Sequence, residues 1–150
     1  MKFRHEIEID ADRDTVWRAF DNLDARSRWQ AGFRSAEILS GEAGQPGAVL
    51  GVTLEQDGRT RQVIEQVTER REPDFLATQA DDGNGRATTV YHFEALAGDR
   101  TRWVIYTGYV THGLKRLIAP FFKQAIGKAI EDTLNRFKLV VESDMKGDAP

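Results

Sequence analysis

Residues 121–143, FFKQAIGKAIEDTLNRFKLVVES, decide the fold, because apolar side chains recur in them at helical spacing. Polar residues such as Lys123 and Glu131 fall on the opposite side. The pattern predicts one amphipathic helix of about six turns with a single buried face. Pro120 suits the first helical turn, where its missing N–H is not needed, and a kink is expected there if residues 114–119 are helical too. The predicted inner arc comprises Phe122, Ile126, Ala129, Ile130, Thr133, Leu134, Phe137, Val140 and Val141.

An apolar helix face of this length needs an apolar surface opposite it, and strand-like segments precede it. In residues 2–10, apolar and charged side chains alternate strictly, as in a strand with one buried face. Asp57-Gly58 is the strongest hairpin signal, because a type I′ turn needs the positive φ that glycine adopts. Short connections make the strands antiparallel. The further predicted strands are residues 33–40, 48–56, 59–70, 75–80, 88–96 and 102–111.

Two short helices are predicted between the first two strands. Asp12 stands where an N-cap belongs, since its carboxylate can accept hydrogen bonds from the free amides of a starting helix. Apolar residues at helical spacing place the first helix over residues 13–23, and the second is predicted over residues 25–30. The chain therefore reads as one α+β domain over residues 1–143, with a flexible tail at residues 144–150.

The composition excludes several classes of function. The 150 residues carry 21 Lys and Arg against 24 Asp and Glu, a net charge of -3, whereas nucleic-acid binders need a positive surface. There is no cysteine, so thiolate nucleophiles and thiolate metal sites are excluded. No run approaches the roughly 20 apolar residues of a membrane span, and the charged start has no signal-peptide core. We expect a cytoplasmic protein with no nucleic-acid partner, no integral membrane association and no cofactor.

The order of the predicted elements and a series of short motifs carry a family resemblance. The motifs, in order, are IEIDAD at 7–12, VWRAF at 16–20, Trp29, GQPGA at 44–48, EQV at 65–67, EPDF at 72–75, YHFE at 91–94 and RTRW at 100–103. Together they resemble the helix-grip superfamily (SRPBCC), which includes the birch-pollen allergen, the lipid-transfer START domains and the polyketide cyclase/dehydrase proteins. The resemblance implies a seven-stranded curved antiparallel sheet wrapped around the long C-terminal helix. It also implies a cavity between them for an apolar small molecule.

Alternation along the strands and the helical arc nominate the residues that would line such a cavity. Most of them are expected to be plain core, because buried aromatic side chains are the usual filling of a domain. Polar tips on two tyrosines and two threonines favour a pocket, since these groups need hydrogen-bond partners when buried. The candidate lining residues are Phe33, Leu50, Val52, Leu54, Tyr91, Phe93, Trp103, Ile105, Thr107, Tyr109, Phe122, Ile126, Ile130, Thr133 and Phe137.

Two further residues are candidates for a polar or acid/base role, although no catalytic residue can be assigned. His5 lies on the apolar face of its strand, either near the mouth of the cavity or against a carboxylate. Glu65 enters the cavity if Val63 points inward as well, and lies in solvent if Ile64 does. The histidines, at positions 5, 92 and 112, have no metal-ligand spacing, so no metal is expected.

These observations leave three functions open. The first is a non-enzymatic protein that binds a hydrophobic small molecule or lipid for transport, storage or sensing. The second, implied by the resemblance, is a polyketide cyclase or dehydratase that acts on an enolisable aromatic precursor. The third is an interaction module or homodimer with an exposed apolar patch. The candidate patch residues are Val104, Tyr106, Phe121 and Leu139.

Overall fold

Seven alternating segments pair into one antiparallel sheet in the computed structural model of the chain, in the order β1-β7-β6-β5-β4-β3-β2. The structure describes residues 1–113 and 119–147. The strands are β1 (Lys2–Ile9), β2 (Phe33–Ser40), β3 (Val49–Gln56), β4 (Arg59–Arg71), β5 (Phe75–Asp81), β6 (Gly85–Leu96) and β7 (Arg100–Thr111). The helices are α1 (Arg13–Phe20), α2 (Arg26–Trp29) and α3 (Ala119–Gly147), and Leu23–Ala25 form a 3₁₀ turn.

The predicted sheet and long C-terminal helix are confirmed, and the strand ends differ from the predicted ones by no more than three residues. The β3–β4 turn has the predicted geometry, with φ of 53° at Asp57 and 76° at Gly58. Gln56 pairs directly with Arg59 across it. Positive φ at both central residues defines a type I′ turn, whose twist matches that of the flanking strands.

The start of α1 also follows the sequence. Asp12 caps the helix, because its carboxylate accepts the Thr15 amide at 3.2 Å and the Thr15 hydroxyl at 2.6 Å. The helix ends at Phe20, three residues before its predicted end at position 23. The Asn22 side chain accepts the Asp24 amide at 3.1 Å, and this local bond starts the 3₁₀ turn in place of a further α-helical turn.

α3 lies along β1 and α2, and runs in the same direction as β1. Gly127 lies near the Phe3 ring, and eleven residues later Lys138 donates a hydrogen bond from Nζ to the Glu8 carbonyl at 2.7 Å. Eleven helical residues and five strand residues both span about 16 Å, so α3 and β1 cover the same distance between these two contacts. Near the end of α3, Glu142 accepts a hydrogen bond from the Asp10 amide at 2.9 Å.

α3 extends past residue 143, where the sequence pattern predicted its end. The helix continues to Gly147. Asp144 accepts two hydrogen bonds from Arg28 of α2, at 2.9 and 3.0 Å, which hold the last turn against the domain. Residues 148–150, like the predicted helical stretch at 114–118 and its kink, lie outside the described residues.

Aromatic side chains fill the core between the sheet, the short helices and the second half of α3. Trp103 stacks on Phe93 with ring centroids 5.6 Å apart and meets Phe137 of α3 at 4.5 Å. Trp29 packs edge-on against Phe137 at 5.1 Å. Because the rings of Trp103, Phe93 and Phe137 are fully buried, we refer to the region around these three residues as the closed end of the fold.

Of the four candidate patch residues, one is not exposed. Val104 is only 5 % exposed. It lies on a central strand, between Glu6 of β1 and His92 of β6, whose side chains flank it on that face. Tyr106 and Leu139 are exposed, but they belong to the sheet and to the helix respectively, and the side chain of Phe121 lies outside the described residues.

No helix among residues 1–113 and 119–147 combines the length and apolar character needed to cross a bilayer.

Candidate ligand site between the sheet and the long helix

The inner face of the sheet is buried unevenly along its strands. Toward the β3–β4 and β5–β6 turns, inner-face side chains such as Leu54 and Thr107 keep accessible surface. Ile126 and Ile130 of α3, which lie on the predicted inner arc, are also only partly buried. We call the region around these four residues the open end. These inward-pointing groups therefore keep accessible surface at this end of the sheet.

The candidate lining residues differ in how far they are buried. The buried ones are Leu50, Val52, Phe93, Trp103, Ile105 and Phe137. The partly buried ones are Phe33, Leu54, Tyr91, Thr107, Tyr109, Ile126, Ile130 and Thr133. Their lining role remains a prediction, because burial alone does not distinguish a pocket wall from ordinary core.

Phe122 departs from its predicted place, since its side chain is 47 % exposed. Its position along α3 explains the difference. Gly127 already lies beside Phe3, near the start of β1, and Phe122 precedes Gly127 by five residues, or about 7.5 Å. The first turn of α3 therefore extends past the strand on which the helix rests.

Two clusters of apolar side chains lie on the inner face of the sheet, and Glu65 of β4 lies between them. Val63 belongs to the smaller cluster with Leu50 and Val52, while Val67 belongs to the aromatic cluster of the closed end. Both valines are buried, so their phase of β4 faces inward. Glu65 shares that phase and is 16 % exposed in its side chain. This resolves the two alternatives that the sequence left open for this strand.

Arg26 of α2 meets Glu65 in a two-pronged ion pair. Nη1 donates to one carboxylate oxygen at 3.0 Å and Nη2 to the other at 2.7 Å. The Arg26 side chain is 13 % exposed, and Nε donates to the Gln30 side chain. The guanidinium lies over the Phe33 ring, 5.2 Å from its centroid. Burial alone lowers the pKa of Arg26, but the adjacent carboxylate outweighs it and raises that pKa above its ordinary value.

Tyr91 of β6 lies close enough to this ion pair for both charges to act on its phenol. Burial and the negative charge of Glu65 raise the pKa of Tyr91 to about 12. The Arg26 charge and a hydrogen bond with Thr78 act in the opposite direction but are outweighed. The phenol is therefore neutral at physiological pH. We call Arg26, Glu65 and Tyr91 the polar centre.

Neither Arg26 nor Arg70 stands out in the sequence pattern. A β-bulge between Val67 and Glu69 shifts the phase of β4, so Arg70 turns inward with a side chain only 9 % exposed. There it donates two hydrogen bonds to Asp21, at 2.7 and 2.8 Å. A signal for Arg26 was present only in its position three residues before Trp29, on the same side of a short helix.

Two of the other polar side chains nominated for the cavity form hydrogen bonds within the fold. Thr133 accepts the Ala31 amide at 3.2 Å, a bond that ties the end of α2 to α3. Tyr109 donates to Asp82 at 3.4 Å, and burial raises the pKa of that phenol.

His5 lies apart from the polar centre, in a surface groove of about 450 Å³ between β1 and α3. The groove is lined by Gln124, Gly127, Lys128, Glu131 and Asp132 as well. The Nδ1 atom of His5 is buried and has no hydrogen-bond partner among the described residues. Within residues 1–113 and 119–147, no group of acidic residues and histidines is arranged to hold a metal ion.

Sequence comparison places this architecture in a family. The family of polyketide cyclases, dehydrases and lipid-transport proteins matches residues 1–142 of the chain. The chain belongs to this family. No curated protein matches the sequence.

Solved structures similar to this family member confirm the helix-grip fold predicted from the motifs. The Zhui aromatase/cyclase from Streptomyces superposes with a TM-score of 0.82 at 15% identity, over 95% of this chain and 93% of its own. A protein from Thermus thermophilus gives 0.80 at 16% identity, over 96% and 99%. A START superfamily protein from Mycobacterium smegmatis gives 0.78 at 17% identity, over 95% and 97%. At these identities the likeness concerns the fold.

Proposed function

We propose that this protein binds a hydrophobic small molecule or lipid at the open end, between the sheet and the first half of α3, for transport, storage or sensing. The observation that carries the proposal is the incomplete burial of inward-pointing side chains there, from Leu54 and Thr107 on the sheet to Ile126 and Ile130 on the helix. This accessible apolar surface is what a hydrophobic ligand would cover.

The chemistry of the open end suits a largely apolar ligand. Each Å² of apolar surface that the ligand and these side chains remove from water contributes roughly 25 cal/mol. The polar centre adds a few fixed hydrogen-bonding groups, and a small number of polar groups in an apolar cleft is the usual composition of a small-molecule site. The family's description, which includes lipid transport, agrees with this function.

A cyclase or dehydratase acting on an enolisable aromatic precursor is the second candidate. The observation in its favour is the polar centre itself, where Arg26 and the neutral Tyr91 phenol could hold a carbonyl group. Glu65, however, already accepts two hydrogen bonds from Arg26, and His5 opens to a different groove. Neither is placed as a free general base, so we rank binding above catalysis.

The cytoplasmic location stays a prediction.

A bulky substitution on β7, within the proposed site, tests this function. Thr107→Trp adds a large ring on the inner face of β7, and Tyr106→Trp changes the neighbouring residue on the outer face. We expect Thr107→Trp to weaken uptake of the neutral dye Nile red at least roughly tenfold, because the ring occupies the ligand's space. Fluorescence titration of the purified protein measures this.

Tyr106→Trp is the matched control, and it should bind the dye as the unmodified protein does. Equal binding by both variants would place the dye elsewhere and contradict the proposal, as would a native protein that takes up no hydrophobe. Native mass spectrometry of protein purified without detergent adds a second readout. A ligand recovered chemically unchanged after incubation supports binding, whereas a converted one favours the cyclase or dehydratase.

A further inference from the structure

The ion pair of the polar centre has no net charge and is not fully used in hydrogen bonding. An arginine side chain carries five N–H bonds. Among the described residues, Arg26 directs one to Gln30 and two to Glu65, which leaves one on each terminal nitrogen. Each Glu65 oxygen accepts one bond from Arg26 and has a further lone pair.

A second ion pair in the same fold has a similar geometry but different neighbours. Arg70 also grips a carboxylate with both terminal nitrogens and also lies over an aromatic ring, that of Trp17, at 5.1 Å. Its Nη1 donates a second hydrogen bond, to the Gly44 carbonyl at 3.1 Å. This pair joins the Gly44 loop and Asp21, after α1, to β4. The Arg26–Glu65 pair, by contrast, borders the partly buried Phe33 and Tyr91.

The unused groups of the polar centre match a hydroxyl. A hydroxyl group both donates and accepts. It can accept from a free Arg26 N–H while it donates to a Glu65 lone pair, so both partners gain a hydrogen bond. An ether or ketone can only accept, which leaves the carboxylate side without a donor.

A carboxylate ligand fits poorly for a reason of charge. Its desolvation in an apolar site is costly unless a net positive charge receives it. Here the Arg26 charge is already neutralised by Glu65, whose own charge repels a second anion. The neighbouring Tyr91 contributes no positive charge either.

We propose that the polar centre makes this protein selective for neutral hydrophobes that carry a hydroxyl group, over carboxylates of the same size. The inference rests on the proposed binding function and names the ligand class of that site. It assigns Arg26 as the donor to the ligand hydroxyl and Glu65 as its acceptor.

Three ligands of one ring system test the selectivity: 2-naphthol, 2-methoxynaphthalene and 2-naphthoate, titrated at pH 7 by isothermal calorimetry. We expect 2-naphthol to bind roughly tenfold or more tightly than 2-naphthoate, and several-fold more tightly than the methyl ether. Equal affinities for the three ligands would overturn the selectivity and leave hydrophobe binding intact. Binding of none of them, together with no uptake of Nile red, would overturn both proposals.

Variants assign the effect to the ion pair. Glu65→Gln leaves the Arg26 charge unopposed, so 2-naphthoate should gain roughly tenfold in affinity relative to 2-naphthol. Asp21→Asn removes the carboxylate of the other ion pair and should leave the ratio unchanged. A change of equal size in both variants would contradict the assignment, because it would reflect charge at a distance and not contact with the ligand.

A double substitution keeps the proposal testable if Glu65→Gln does not fold. Arg26→Met combined with Glu65→Leu removes both charges and replaces them with apolar side chains. This variant should bind 2-naphthol and its methyl ether equally. A retained preference for the hydroxyl would show that the ion pair does not recognise it.

Discussion

The two halves of α3 present the same periodic pattern to the same sheet, yet they end in different surroundings. In the second half, Leu134, Phe137 and Val141 are buried against the aromatic cluster. In the first half, Ile126 and Ile130 occupy equivalent places on the arc and remain partly exposed. Helical periodicity thus determines which side chains turn inward, but not whether the opposite surface fills the space in front of them.

The difference arises in the elements that face each half. The closed end receives Trp17 and Phe20 from α1 and Trp29 from α2, large rings that fill the volume between sheet and helix. The open end is faced by smaller and polar groups, among them Thr107 and Glu65. One half of the helix is therefore buried in the aromatic core, and the other keeps accessible surface.

The largest expected effect tests the closed end. Phe137→Ala should lower the free energy of unfolding by about 3–5 kcal/mol, because it leaves a cavity beside Trp103 and Trp29. Urea denaturation followed by circular dichroism measures the loss. Ile130→Ala, two turns earlier on the same face, should cost only about 1–2 kcal/mol, since its side chain is partly solvated. Equal losses at the two positions would break the comparison.

A somewhat smaller effect is expected at the boundary between the two ends. Arg26→Met leaves the Glu65 carboxylate unpaired in a mostly buried place, and should cost about 2–3 kcal/mol of unfolding free energy. Adding Glu65→Leu removes that charge and should restore most of the loss. The same urea titration compares the two variants. If the double variant is as unstable as the single one, the pair stabilises the fold through packing and not through charge.

The third effect is a dependence of the unfolding free energy on alkaline pH. The pKa of Tyr91 lies near 12 in the folded protein, above the ordinary value of 10.0 that applies in the unfolded chain. Its contribution is therefore complete below pH 10 and is lost as pH rises toward 12, by up to roughly 2–3 kcal/mol. Tyr91→Phe should make the decline of unfolding free energy over this range shallower. Identical slopes would place the phenol in a solvated position and reduce the contrast between the ends.

Most of the fold could be predicted from local sequence, because strict alternation, a type I′ hairpin signal and an N-cap each act over a few residues. The differences come from contacts between distant residues. Arg28 and Asp144, 116 positions apart, extend α3 by one turn beyond its predicted end. The bulge after Val67 reverses the phase of Arg70, and alternation counted from the start of the strand cannot detect it.

The inner face of the sheet was predictable from alternation, and the polar residues that reach it were not. Alternation nominated Tyr91 and Thr107 for the inner face, where the structure has them. It could not choose the phase of Glu65, since both faces of that strand offered apolar neighbours. Arg26 escaped notice because α2 has four residues, too few for periodicity, and its partner lies 39 positions away.

The bonds that fasten α3 have a mechanical consequence. Among the described residues, its hydrogen bonds to other elements begin at Thr133 and continue through Lys138, Glu142 and Asp144. Between Gly127 and Ile130 the helix rests on apolar contacts instead. About 20 Å separates Phe137 from the turn near residue 124, so a tilt of about 5° around Phe137 moves that turn by roughly 2 Å. Such a tilt would shift the apolar contacts of the first half and leave the hydrogen bonds of the second half in place.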